Sequence, residues 1–125
     1  MKLKDFNLTK DELIEMADKY MNETFKRYDF VADESHDMYL YDENDGKYLD
    51  FLGGIAVNSV GGCNQKVIDA INEQSKVMIH ASNYFYTVPQ IVLAKLISET
   101  IGMDKVQFQN SGAEANEAMI KLARK

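Results

Sequence analysis

The run Asn110-Ser111-Gly112-Ala113-Glu114, leading straight into a helical pattern that continues to Lys125, constrains this chain more than any other feature. Just before it Val106 and Phe108 alternate with Gln107 and Gln109, which predicts a short strand ending at a tight turn. A helix that opens directly from such a turn presents unpaired N–H groups and a partial positive charge, a ready site for an anion. Gly112 and Ala113 carry almost no side chain, so a phosphate has open access to their N–H groups, and the Ser111 hydroxyl is placed to add a donor. The same spacing has a second meaning. Ser111 and Glu114 also stand as a capping box does, with the serine and glutamate satisfying the orphan N–H groups themselves. Spacing alone leaves the two readings level. The strand-turn-helix context leans toward a phosphate, without saying which one.

Earlier signals set the rest of the architecture. Thr9 and Glu12 have capping-box spacing, and Leu8 and Leu13 stand where a hydrophobic staple joins N′ to N4, so a helix is predicted from there through Tyr20. Met38 to Tyr41 and Tyr48 to Phe51 are rich in strand formers. Between them Asp45-Gly46 offers the positive φ of a hairpin turn. Four of the seven glycines bracket Ile55 to Val60, which reads equally as a flexible connector or as backbone passing close to another chain or a ligand. Asn64 is placed to cap a helix through Val67, Ile68, Ile71 and Met78. After the loop His80 to Thr87, Pro89 opens another helix that Gly102 closes. The expected order is helix, hairpin, two helices, one strand, one helix.

Charge and cysteine count narrow the classes. A net charge of −6 leaves nothing to neutralise a run of phosphates, which excludes a general nucleic-acid binder. Cys63 is the only cysteine, so no internal disulfide forms, and a cytoplasmic setting is the simplest expectation. The longest apolar stretches are far short of a membrane span. His36 and His80 have no Cys, Asp or Glu around them at ligand spacing, so no metal is expected, and Cys63 has no activating partner. The last helical pattern stops without a glycine, proline or polar tail, and the strand predicted at Val106 to Gln109 has no obvious partner in the sequence, so the chain is expected to be the opening part of something longer.

Asn110 to Ala118, with Lys121-Leu122-Ala123-Arg124 after it, resembles the signature of class III pyridoxal-phosphate aminotransferases, nearest to their acetylornithine and ornithine branch. Three further segments agree in the same order: Tyr48-Leu49-Asp50-Phe51 with Gly54 to Asn58, then Ser82 to Tyr86, then Pro89-Gln90. The similarity covers roughly residues 20 to 125 and leaves only the first helix outside. It implies an α/β chain, the N-terminal portion of a fold-type I transferase that uses pyridoxal 5'-phosphate. Residues 1–58 would be the helix and hairpin of the small domain. Residues 59–125 would be the first helices and first strand-helix unit of the large domain, truncated. By resemblance Ser111, Gly112 and Ala113 hold the cofactor phosphate, and Tyr86 and Phe85 are candidates for substrate contact, against a plain packing role. The implied activity moves an amino group from an ornithine-like donor to a 2-oxo acid such as 2-oxoglutarate, in a homodimer.

The pattern also departs from the family. Gly61-Gly62-Cys63-Asn64-Gln65 stands where the family commonly shows Gly-His-x-His-Pro, and Tyr28-Asp29 lacks a proline often found after that tyrosine. Both departures bear on substrate more than on fold. No lysine here matches the context of the one that binds the cofactor covalently, and no acidic partner for the pyridine nitrogen is recognised, so no catalytic residue is expected within these residues. The chain alone is expected to be inactive. Two other classes stay open: a different phosphate-binding α/β module, which no Gly-x-Gly-x-x-Gly or Walker-type lysine supports, and a non-catalytic assembly fragment.

Overall fold

A computed structural model describes residues 1–125, which form two compact units, Met1–Val77 and Met78–Lys125. In the first unit a 3₁₀ turn, Leu3–Phe6, leads to helix α1, Lys10–Tyr20. Its N-terminus closes as a full capping box. Glu12 N–H donates to Thr9 Oγ1 at 3.3 Å, and Thr9 N–H donates back to Glu12 Oε2 at 2.8 Å. The Thr9 N–H, with its hydroxyl, holds the Glu12 carboxyl below the usual carboxylate range.

Three short antiparallel strands follow in the order β1-β2-β3: Glu34–His36, Tyr39–Tyr41 and Lys47–Leu49. The predicted hairpin is β2-β3, with Leu40 opposite Tyr48. In its turn the positive φ falls on Asp45, at 61°. The Asp42 carboxylate gathers Gly46 N–H at 2.7 Å, Asn44 N–H at 2.9 Å and the Tyr48 hydroxyl at 2.9 Å. The Gly46 N–H, then the Tyr48 hydroxyl, keep the Asp42 carboxyl low. Strand β3 stops short of the expected Phe51 because Asp50 Oδ1 turns the chain, accepting Leu52 N–H at 3.0 Å and Gly53 N–H at 2.9 Å. Strand β1 has no sequence signal, being polar throughout. It exists through its pairing with β2 and through Lys2, whose ammonium pairs with Glu34.

The glycine-bracketed stretch is a left-handed turn, α2 (Gly53–Ala56), with φ of 53°, 65°, 57° and 65° in succession. L-residues in this conformation cost about 1–2 kcal/mol each, and Ile55 is β-branched and 90% exposed, so no packing within the unit offsets that cost. Beyond it, Gly62 exchanges backbone hydrogen bonds with Asp37 at 2.7 and 2.9 Å. A Cβ on Gly62 would run into the Ser35 side chain and stand 3.3 Å from its carbonyl carbon. Asn64 then caps helix α3, Gln65–Val77, its Oδ1 accepting Lys66 N–H at 3.1 Å.

Gly62→Ala is therefore expected to destabilise the protein by about 1–3 kcal/mol, as overpacking does. The double variant with Ser35→Gly should recover most of that loss. Thermal unfolding of both in the full-length protein checks this; an unchanged Tm in the single variant would contradict the contact.

In the second unit, helix α4 spans Val88–Ile101 with Pro89 in its first turn, and Gly102, at φ 70°, donates its N–H to Ser98 O at 3.0 Å. Helix α5 is Gly112–Arg124. The expected strand at Val106 to Gln109 is absent. A strand exists only through a ladder, and no other segment of the unit pairs with these residues.

Leu3, 7% exposed, and Gly62 are the only buried residues. The accessible surface is 11473 Å², against about 8,100 Å² for two separate compact domains of these sizes. Helix α4 is apolar nearly all round yet leaves Ile91, Val92, Leu93 and Leu96 about half exposed. A helix of that composition belongs inside a protein. No helix is long and apolar enough to cross a membrane.

Candidate functional site

Ser111 has extended backbone and stands at the N-cap of α5, so Gly112 and Ala113 are its first two helical residues. Ser111 Oγ accepts Glu114 N–H at 3.2 Å, which is half of a capping box. The other half is not made. Glu114 Oε2 accepts the N–H of Asn110, one residue before the cap, at 2.9 Å. The N–H groups of Ser111, Gly112 and Ala113 have no acceptor in the chain, nor does the Ser111 hydroxyl hydrogen. The turn thus offers four donors from three consecutive residues at the positive end of a helix dipole.

Such a set fits a phosphate, whose oxygens are all acceptors and whose charge the helix terminus favours. Gly112 adds access. A Cβ there would meet nothing within 4 Å, and its φ is not in the left-handed region, so neither crowding nor backbone conformation in this chain calls for glycine. A phosphate lodged at those N–H groups would make use of the missing side chain.

Phe85 and Tyr86 sit in the loop before α4, 67% and 97% exposed, and neither lines the groove beside α5. The open groove of about 540 Å³ beside α5 is lined by Gln107, Gln109, Glu114 and Lys121 among others, and not by Ser111, Gly112 or Ala113. The lysines of α4 and α5 pair with their own helices: Lys95 Nζ stands 3.8 Å from Glu99 and Lys121 Nζ 2.7 Å from Glu117. No group of three or more His, Cys, Asp or Glu side chains is gathered for a metal. Asn110 is the participant that sequence reasoning missed, since serine-to-glutamate spacing does not say which N–H the carboxylate takes.

In the glycine-rich stretch a side chain at Gly62 has no room beside Ser35. Cys63, exposed and at φ 51°, continues that close passage, and Asn64 retains the capping function.

Relatives carry the same segment. The chain is 48% identical over 118 residues to the acetylornithine aminotransferase of Methanocaldococcus jannaschii, covering 94% of this chain and 30% of that protein. It is 44% identical to the Archaeoglobus fulgidus acetylornithine aminotransferase, covering 90% and 30%. The crystal structure of the Elizabethkingia anophelis acetylornithine aminotransferase matches with a TM-score of 0.87 at 32% identity, over 94% of this chain and 30% of that one. An ornithine aminotransferase of Plasmodium yoelii matches with a TM-score of 0.88 at 31% identity, over 94% and 31%. The chain therefore spans about 30% of the length of the relatives it matches. The sequence profile described as "Aminotransferase class-III" matches residues 20–125, which takes in the hairpin, the left-handed turn, the aromatic loop and the whole of the Ser111 turn and α5. By that match and those identities, this chain belongs to the class-III aminotransferase family.

Proposed function

We propose that these residues supply the phosphate end of a pyridoxal 5'-phosphate site in a full-length aminotransferase. The single observation that carries the reading is the turn of free donors at Ser111, Gly112 and Ala113. When bound, the cofactor supplies an electron sink for the substrate's reacting carbon. The part of this chain is anchoring: the Gly112 and Ala113 N–H groups and the Ser111 hydroxyl fix the phosphate, which orients the ring for groups held elsewhere. Phe85 and Tyr86 are assigned to substrate contact, their exposure in this chain leaving both rings available.

The donor is proposed to be acetylornithine or a close ornithine-like amine, and the acceptor a 2-oxo acid such as 2-oxoglutarate. Support comes from relatives named acetylornithine aminotransferase at 44–48% identity. Residues 1–58 are assigned to the small domain and 59–125 to the start of the large one, in a cytoplasmic homodimer. The large exposed apolar surface favours a segment that is completed by other protein, as an assembly fragment also would be.

Assaying the full-length protein with acetylornithine, ornithine and 4-aminobutyrate against 2-oxoglutarate tests the substrate claim. Turnover is expected to be fastest with acetylornithine. No turnover with any of the three would overturn it.

A further inference from the structure

The two helices that begin with the Ser/Thr-x-x-Glu pattern close it differently, and the difference lies at the candidate site. At α1 the glutamate takes both hydrogens of its cap residue: Glu12 Oε2 accepts Thr9 N–H at 2.8 Å and the Thr9 hydroxyl at 2.9 Å. Only the first two helical N–H groups are left. At α5 the glutamate reaches one residue further back, and Glu114 Oε2 accepts Asn110 N–H at 2.9 Å. Ser111 then keeps both its N–H and its hydroxyl hydrogen, while its oxygen still accepts Glu114 N–H at 3.2 Å. The same sequence pattern yields two free donors at one helix and four at the other.

We propose that Glu114 is a positioning residue for the phosphate turn: by holding Asn110 instead of Ser111 it keeps the serine's two donors open to the anion and fixes the approach to the helix. The inference rests on the phosphate reading above and adds a residue that touches neither cofactor nor substrate. What matters is reach. The glutamate side chain is long enough to pass the cap residue, and an acceptor oxygen is needed at its end; the negative charge is not. A glutamine keeps both reach and acceptor. An aspartate keeps the charge favoured near a helix N-terminus but is one methylene shorter. It falls back on the Ser111 N–H or on nothing. A role confined to charge or ordinary capping gives the opposite order.

The test uses the full-length protein and measures the ratio of its affinities for pyridoxal phosphate and for pyridoxal, which isolates the phosphate contribution, with the ³¹P shift of bound cofactor as a second readout. Glu114→Asp and Glu114→Ala are each expected to lower the ratio about tenfold, the size of one well-made hydrogen bond to an ion, and to shift the ³¹P resonance. Glu114→Gln should stay within about twofold of the native ratio. A Glu114→Gln loss with Glu114→Asp unchanged, or an equal fall for both ligands in every variant, overturns the positioning role. If one of the shortened variants fails to fold, the other decides together with Glu114→Gln. Gly112→Val serves as the separate control. If it leaves the ratio unchanged, the phosphate reading itself has failed; if it lowers the ratio while Glu114→Asp does not, only the positioning role has.

Discussion

Gly112→Val is expected to weaken pyridoxal phosphate binding by the full-length protein about ten- to thousandfold, or roughly 1.4–4 kcal/mol. The expectation follows from where a side chain at that position must go. In an α-helix each Cα–Cβ bond tilts toward the N-terminus, so at the first helical residue a side chain leans over the open end where an anion sits. Glycine at position 112 keeps that end clear. Within the chain a Cβ there meets nothing within 4 Å, so valine does not disturb packing, and its helix penalty at a terminal position is small. Loss of affinity would then report on the ligand and not on the fold. Equilibrium titration of the apoprotein with cofactor, alongside thermal unfolding, measures both. A folded variant with unchanged affinity would favour a turn that serves only to start α5.

Residues 1 to 125 on their own are expected to form no stoichiometric covalent adduct with pyridoxal phosphate, to show no transamination, and to associate in solution. An anion site built from four exposed donors binds weakly without walls to exclude water. The accessible surface exceeds that of two compact domains by about 3,400 Å², and much of the excess lies on side chains that other proteins bury. Ile91, Val92, Leu93 and Leu96 on α4, Met119 and Leu122 on α5, and the unpaired backbone around Val106 and Phe108 are surfaces for self-association. Borohydride reduction followed by peptide mapping tests the first part and sedimentation the second. One lysine labelled to stoichiometry, or a compact monomer at high concentration, would contradict the account.

Local chemistry was what the sequence expressed clearly. The Thr9-Glu12 box, the Asn64 cap, Pro89 and Gly102 around α4, and the Ser111 start of α5 each join a side chain to backbone within a few residues, so spacing suffices to read them. Features that depend on distant partners were not legible. Strand β1 is Glu34-Ser35-His36, a polar run made a strand by pairing with Tyr39 to Tyr41. Val106 and Phe108 alternate as a strand does and form none, because pattern does not supply a neighbour. The left-handed turn at Gly53 to Ala56 lay between two readings, since glycine permits that conformation without requiring it, and Ile55 and Ala56 give no hint of it.

The candidate site divides in the same way. Ser111, Gly112 and Ala113 were marked by their positions at a helix start. The choice between a closed capping box and an open donor set was not legible, because both have the same spacing. It turns on whether Glu114 takes the N–H of Ser111 or that of Asn110, and the side chain takes Asn110. Phe85 and Tyr86 stand in the loop that composition suggested, largely exposed and outside the groove beside α5.

A crystal structure of the full-length protein with pyridoxal phosphate would show whether the Ser111 turn holds the phosphate. Phosphate oxygens are expected at hydrogen-bond distance, about 2.7–3.2 Å, from the Gly112 and Ala113 nitrogens, with the Ser111 hydroxyl donating to the same group. A cofactor phosphate held elsewhere, with Glu114 closed onto Ser111 N–H, would contradict that placement.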